Sequence, residues 1–196
     1  EYSSLVATES LDFKDAIKIL KVRSEAMQES MPIGTGGMAA IIGSSLNQIS
    51  KLMPELNEIG KIYVANDNAD GQIVLSGEIK AIDHICSNSK TYGIKRAIKL
   101  PVSAPFHCEL IYSAKSKIRN EVQNYNFKDF KFPLISNVEA RPCKSSNIGE
   151  LLVNQVVSRV RWRESIEYMI KKKVTTFIEI GPDIVIINID KRMNKT

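Results

Sequence analysis

The sequence predicts an α/β fold in which a small ferredoxin-like βαββαβ unit, residues 34–100, is inserted into a larger layer made of residues 1–33 and 101–196. Three observations carry this expectation. From Met38 to Leu100 the expected elements run strand, helix, strand, strand, helix, strand. After Pro101, strand-like runs alternate with amphipathic helical ones, as in a layer with a parallel sheet. Gly34-Thr35-Gly36-Gly37 and Pro101 punctuate the two ends of the inserted unit. The larger sheet is expected to be incomplete, because too few strands flank the insertion.

Residues 2–9 read as a short helix and residues 12–31 as a long amphipathic one. Asp12 is placed to cap the second helix, Phe13, Ala16, Ile17, Leu20 and Met27 give its apolar stripe, and Pro32 closes it. Strands are expected at 38–42, 62–66, 72–76 and 95–100. Helices are expected at 46–53 and 78–91, the latter with Ile79, Ile82, Ile85 and Cys86 on one face. A turn over Asp67-Asn68-Ala69-Asp70-Gly71 joins the second and third strands. Further on, helices are expected near 109–123, 147–157 and 163–171, strands at 132–136 and 175–180, and a terminal helix from about Asp183.

Composition narrows the function classes. Hydrophobic residues make up 43% of the 196 and charged residues 25%, the proportions of an ordinary globular chain. No apolar run approaches the roughly 18 residues a membrane span needs, and the first ten residues do not read as a signal peptide. Cys86, Cys108 and Cys143 are widely spaced and form no CxxC pair, which favours a reducing compartment and gives no zinc-ligand pattern. With His84 and His107 as the only histidines, no multi-histidine metal site is expected. The net charge is +5, with basic residues gathered in the last fifth, including Arg159, Arg161 and Arg163. Such a face attracts an acidic protein, a nucleic acid or an anionic membrane, but most surface charges of this kind are simply solvated. A nucleic-acid reading of the βαββαβ unit needs exposed aromatics on its strands, and Tyr63 is the lone candidate.

A few residues can carry chemistry. Arg23 lies seven residues after Ala16, three after Leu20 and four before Met27, inside the apolar stripe of its helix. A buried guanidinium needs an anion, so either an internal carboxylate pairs with it or it awaits an anionic ligand. His107 ends the loop Pro101-Val102-Ser103-Ala104-Pro105-Phe106-His107, which follows a strand. His84 falls on the polar side of its helix and reads as a surface residue. Asn66 and Asn68 either bond a polar ligand or shape a turn. A histidine base needs a nucleophile within reach, and no G-x-S-x-G elbow occurs in the chain. Ser3 and Ser4 lie in the first helix. Cys108 adjoins His107, but adjacent side chains in a loop rarely meet productively.

Several segments, in order and at matching spacings, resemble the bacterial malonyl-CoA:acyl-carrier-protein transacylase family. They include Arg23-Ser24-Glu25-Ala26-Met27-Gln28-Glu29, Gly34-Thr35-Gly36-Gly37-Met38-Ala39-Ala40, and Gly71-Gln72-Ile73-Val74-Leu75-Ser76-Gly77. Further on come Leu100-Pro101-Val102-Ser103-Ala104-Pro105-Phe106-His107-Cys108, Pro133-Leu134-Ile135-Ser136-Asn137-Val138, Leu152-Val153-Asn154-Gln155, Val160-Arg161-Trp162 and Glu179-Ile180-Gly181-Pro182.

The resemblance implies a hydrolase-like large subdomain with the ferredoxin-like insertion, and ping-pong acyl transfer through a seryl ester. It implies His107 as the base, Arg23 as the grip on the malonyl carboxylate, and Asn66, Phe106 and Met27 near the acyl group. It also implies a main-chain carbonyl near Gln155 that orients the histidine. It further implies malonyl-CoA and acyl carrier protein as partners, no cofactor or metal, no nucleic acid or membrane, a monomer, and a cytoplasmic (or organelle stroma or matrix) location. Glu1-Tyr2-Ser3-Ser4-Leu5-Val6 resembles the segment that follows the family's serine elbow, so these residues are expected to be an N-terminally truncated, inactive piece; the alternative is a non-catalytic remnant that binds acyl carrier protein. Two departures stand out: Ala69-Asp70-Gly71-Gln72 replaces Ser-Pro-Gly-Gln, and Gly181-Pro182-Asp183-Ile184 replaces Gly-Pro-Gly-Lys.

Overall fold

Two helices open the chain in the computed structural model, which describes residues 1–180: α1 (Tyr2–Ala7) and α2 (Phe13–Gln28). The terminal helix expected from Asp183 and the departure at Asp183-Ile184 lie outside the described residues. Asp12 occupies the N-cap of α2, but its carboxylate makes no capping bond and lies 3.8 Å from Lys128 at the surface. The buried stripe of α2 is also rotated from the expected one. Ala16, Ile19, Ala26 and Met27 are buried, whereas Phe13 and Ile17 are exposed. The cause is tertiary: the residues that cover this helix, Ile111, Ala114, Ile118, Leu151 and Leu152 among them, cluster with Ile19 and Ala16 and leave the Phe13–Ile17 flank in water.

The inserted unit follows as β1 (Gly36–Ile42), α3 (Leu46–Ile59), β2 (Ile62–Ala69), β3 (Gln72–Glu78), α4 (Ile79–Ser87) and β4 (Arg96–Lys99). Its strands pair antiparallel in the order β2-β3-β1-β4, the ferredoxin-like topology. Alternation along the strands sends Ala39, Ile41, Ile73 and Leu75 to one face, where Ile49 and Leu56 of α3 and Ile82 and Ile85 of α4 cover them. Met38, Ala65 and Val74 cluster separately with Leu100, Val102 and Phe106. The second face of the sheet thus supports the loop that ends in His107.

Three boundaries of the inserted unit differ from expectation by three residues or more, one of them the end of α4, which stops at Ser87 instead of 91. α3 runs through Pro54 to Ile59 instead of stopping at Met53. Pro54 and Ser50 are both exposed, so the bond lost at the missing N–H falls on the solvent side of the helix, while Ile49 and Leu56 hold the helix to the sheet. Ser45 caps the start, its hydroxyl accepting from the Gln48 N–H at 3.2 Å. The expected five-residue turn contracts to Asp70-Gly71, with Gly71 at φ 75°. β2 takes up the remaining residues through register shifts between Val64 and Asn66 and between Asp67 and Ala69.

Beyond Pro101 a short 3₁₀ turn (Glu109–Ile111) precedes α5 (Ala114–Val122), where a single helix was expected. Then come β5 (Ile135–Ser136) and β6 (Arg141–Pro142), paired with each other, α6 (Ser145–Gln155) and α7 (Trp162–Lys171). Among the described residues the larger layer forms no parallel ladder; the one parallel bridge, Asn66 to Val160, joins β2 of the inserted unit to the segment before α7. Residues 175–180, expected as a strand, have no ladder partner among the described residues and are assigned no regular structure, because a strand is defined by its neighbour. No helix among the described residues is long and apolar enough to cross a membrane.

The basic run near residue 160 is not a free cationic face. Arg159 and Arg161 pair with Glu164, and Arg163 pairs with both Glu167 and Asp67. Asp67 is buried, with 1% of its side chain exposed, and both its oxygens accept from Arg163 at 2.8–3.2 Å. Together with the Asp67 N–H to Val160 carbonyl bond of 2.9 Å and the Val160 N–H to Ala65 carbonyl bond of 2.8 Å, this fixes β2 against the start of α7.

Candidate active site

α2 and the loop after Leu100 bring Arg23 and His107 to one cleft. Its volume is about 240 Å³, and it is lined by Arg23, Ser24, Met27, Gln28, Phe106 and His107. A larger open groove of about 570 Å³ runs along residues 129–133 and 142–146, away from these groups; the chemistry, not the size, marks the smaller cleft. The His107 loop is held closely. Phe106 packs against both the α2 core and the second face of the small sheet. A Cβ on Gly36 of β1 would stand 2.5 Å from the Pro105 ring, so only glycine permits this approach. His107 itself sits at φ 59°, a left-handed conformation uncommon for a residue with a side chain.

The His107 tautomer follows from its partner. Nδ1 lies 3.1 Å from the main-chain oxygen of Gln155, and a carbonyl only accepts, so Nδ1 carries the proton and Nε2 is left with a lone pair. That carbonyl is available because Gln155 is the last residue of α6, and the final carbonyls of a helix have no partner within it. Burial holds the imidazole down at about 4; the Gln155 bond opposes this, and the nearby Arg23 charge adds to it. The ring is therefore neutral at pH 7, in the form that accepts a proton.

Arg23 resolves the alternatives its sequence position left open. Its Nη2 donates to the Gln155 side-chain oxygen at 2.8 Å, its guanidinium lies 6.0 Å from the Tyr2 ring, and its Nε is buried without a partner. No carboxylate of the described residues forms a salt bridge with it. Burial lowers its pKa, yet a guanidinium remains charged throughout the physiological range. A partly buried cation with an unused donor, at the edge of a cleft, is a place for an anion.

The other expected residues divide. Met27 is buried beneath the cleft and Phe106 forms one wall. Asn66 is not among the lining residues; it lies on β2 beside the bulge, bridged to Val160. Cys108 is buried, donates to the Pro105 carbonyl at 3.1 Å, and has its thiol pushed up by burial, which makes it a poor thiolate. Ser3 and Ser4 are exposed on α1. His84 is not a simple surface residue, since its ring bonds the Tyr92 hydroxyl at 2.9 Å. Sequence reading passed over Gln28, whose side-chain oxygen accepts from Ser103 at 2.5 Å while its amide nitrogen is buried without a partner. The one available signal was its place a turn beyond Ser24 on the same helix.

A neutral histidine with a free Nε2, next to an arginine that feels the Glu1 charge through space but makes no salt bridge to a described carboxylate, is equipped to deprotonate a hydroxyl or thiol beside a substrate that carries an anion. Comparison with known proteins gives the family: the acyl transferase domain family matches residues 1–195, and the chain belongs to that family. The malonyl CoA-acyl carrier protein transacylase of Bacillus subtilis (strain 168) is 42% identical over 197 residues, covering 100% of this chain and 62% of that protein. The crystal structure of the protein of the same name from Clostridium perfringens Atcc 13124 superposes with a TM-score of 0.94 at 38% identity, covering 100% of this chain and 62% of that one. A malonyl-transacylase in complex with a type II PKS acyl-carrier protein gives a TM-score of 0.94 at 35% identity, covering 100% of this chain and 63% of that one. The chain thus spans less than two thirds of the length of these relatives.

Proposed function

We propose that these residues carry the base and the carboxylate clamp of a malonyl-CoA:acyl-carrier-protein transacylase. The carrying observation is Arg23: a charged, partly buried side chain in the cleft with no salt bridge to any described carboxylate and a donor to spare. On this reading the malonyl carboxylate takes the open side of the guanidinium. The nucleophilic serine comes from outside the 196 residues, which contain no G-x-S-x-G elbow. His107 Nε2 removes the serine proton as the oxygen attacks the thioester carbonyl, and then returns a proton to the departing CoA thiolate. In the second half-reaction the same nitrogen deprotonates the phosphopantetheine thiol of acyl carrier protein, whose sulfur attacks the ester carbonyl, and the imidazolium gives that proton to the departing serine oxygen. The main-chain carbonyl of Gln155 orients the ring, Phe106 and Met27 bound the acyl group, and Asn66 contacts the acyl-CoA at the bulge of β2.

Residues 34–100 form the small subdomain of this enzyme and 1–33 with 101–196 belong to the large one, a division supported by the separate cores built around Ile41 and around Ile19. Three free cysteines support a reducing, cytoplasmic setting. The test is transfer by the full open reading frame that encodes these residues. Arg23→Ala should cut malonyl transfer to acyl carrier protein by on the order of 100-fold, while acetyl transfer changes by less than about threefold. Equal losses for the two acyl groups would remove the clamp from the mechanism.

A further inference from the structure

Gln155 touches both working residues of the site, through different atoms. Its main-chain oxygen takes the His107 Nδ1 proton, and its side-chain oxygen takes a proton of Arg23 Nη2 at 2.8 Å. A guanidinium has only donors, so the amide must present its oxygen to Arg23. Gln155 as a whole is 9% exposed, and α6 is anchored through Ile148, Leu151, Leu152 and Val153, so this oxygen is a fixed point.

The chemistry of residue 155 decides what Arg23 is able to bind. A carboxylate at the same place would make an ion pair with Arg23 and cancel the charge that a ligand needs. A neutral amide supplies the same acceptor geometry and leaves the charge uncompensated. Resting on the transacylase reading above, we propose that the Gln155 side chain is a selectivity-determining positioning residue. It aims the Arg23 guanidinium into the cleft while leaving its charge for the carboxylate of a dicarboxylic acyl thioester.

The prediction concerns discrimination, which a merely structural role would not move. Malonyl-CoA and acetyl-CoA are titrated by calorimetry into the protein of the full open reading frame, with its nucleophilic serine changed to alanine so that binding is read without transfer. The same titrations are made into that protein with position 155 changed. The wild type should bind malonyl-CoA at least about tenfold more tightly than acetyl-CoA, the value of one charge-assisted contact. Gln155→Glu should bring the two within about twofold, with the greater loss falling on malonyl-CoA. Gln155→Met, which removes the acceptor without adding charge, should reduce the advantage by about threefold or more. Both variants keep the main-chain oxygen that His107 uses. A wild-type advantage that persists undiminished in Gln155→Glu overturns the proposal; should that variant fail to fold, an undiminished advantage in Gln155→Met does so. A wild type that binds both thioesters alike removes the transacylase reading itself, a result distinct from either.

Discussion

Asp67 and Arg163 offer an asymmetric test of how β2 is held against α7. Asp67 keeps 1% of its side chain exposed and Arg163 keeps 27%, and Arg163 has a second partner in Glu167 at 3.0 Å. Removing the arginine strands a carboxylate out of water, whereas removing the carboxylate leaves an arginine that still has solvent and Glu167. Breaking a buried pair from the side that leaves an uncompensated charge costs about 3–5 kcal/mol. Arg163→Met should therefore destabilise by about that amount. Asp67→Asn keeps one acceptor and leaves the better-solvated partner, so about 1–2 kcal/mol is expected, the scale of one hydrogen bond. Urea melts resolve this: with a slope of about 2–3 kcal/mol per M, the first variant moves the midpoint by roughly 1–2 M and the second by less than about 1 M. Equal shifts, or an Arg163→Met midpoint within about 0.2 M of wild type, would show that Asp67 reaches water or another partner and would refute the reasoning.

Two further outcomes follow from the site. Because burial holds His107 at about 4 against an ordinary 6.5, the unfolded chain binds the proton more readily. The contribution of this residue to stability is therefore complete above about pH 6.5 and is lost as pH falls toward 4; thermal midpoints measured across that window should drop, and His107→Gln should flatten part of the drop. Gly36→Ala should cost about 1–3 kcal/mol in a urea melt and shift the His107 ring resonances, because its Cβ would stand 2.5 Å from the Pro105 ring two residues before the base. A variant as stable as wild type with unmoved resonances would mean that the loop has room to spare.

What was legible in the sequence follows the range of the forces involved. The βαββαβ order is local: the apolar, largely β-branched run Ile73-Val74-Leu75 and the glycine at 71 are nearest-neighbour signals, and the structure keeps them. Arg23 was legible as an anomaly, since one charge in an apolar stripe needs a reason, yet the stripe itself was misplaced. Phe13 and Ile17 have the right spacing and the wrong side, because only the packing of α5 and α6 decides which flank of α2 is covered. Asp67 looked like a turn residue because aspartate next to asparagine and glycine usually is one; its partner Arg163 lies 96 positions away. Residues 175–180 have strand-like composition and no partner strand among the described residues. Of the two roles of Gln155, the main-chain one was implied by the family resemblance alone, and the side-chain bond to Arg23 could not be read at all, since a glutamine at a helix end has no pattern and a main-chain oxygen has no letter.

That last point bears on how such a site changes under mutation. The group that orients His107 belongs to the backbone, and every one of the twenty amino acids supplies it. Point substitution at position 155 cannot delete it, whatever happens to the neighbouring arginine. What can delete it is a change in where α6 ends: an inserted or lost residue between Ser145 and Val160 would rotate a different carbonyl toward the ring, or none. A scan of substitutions across α6 would pass over the base's anchor, while a scan of single-residue insertions and deletions would find it.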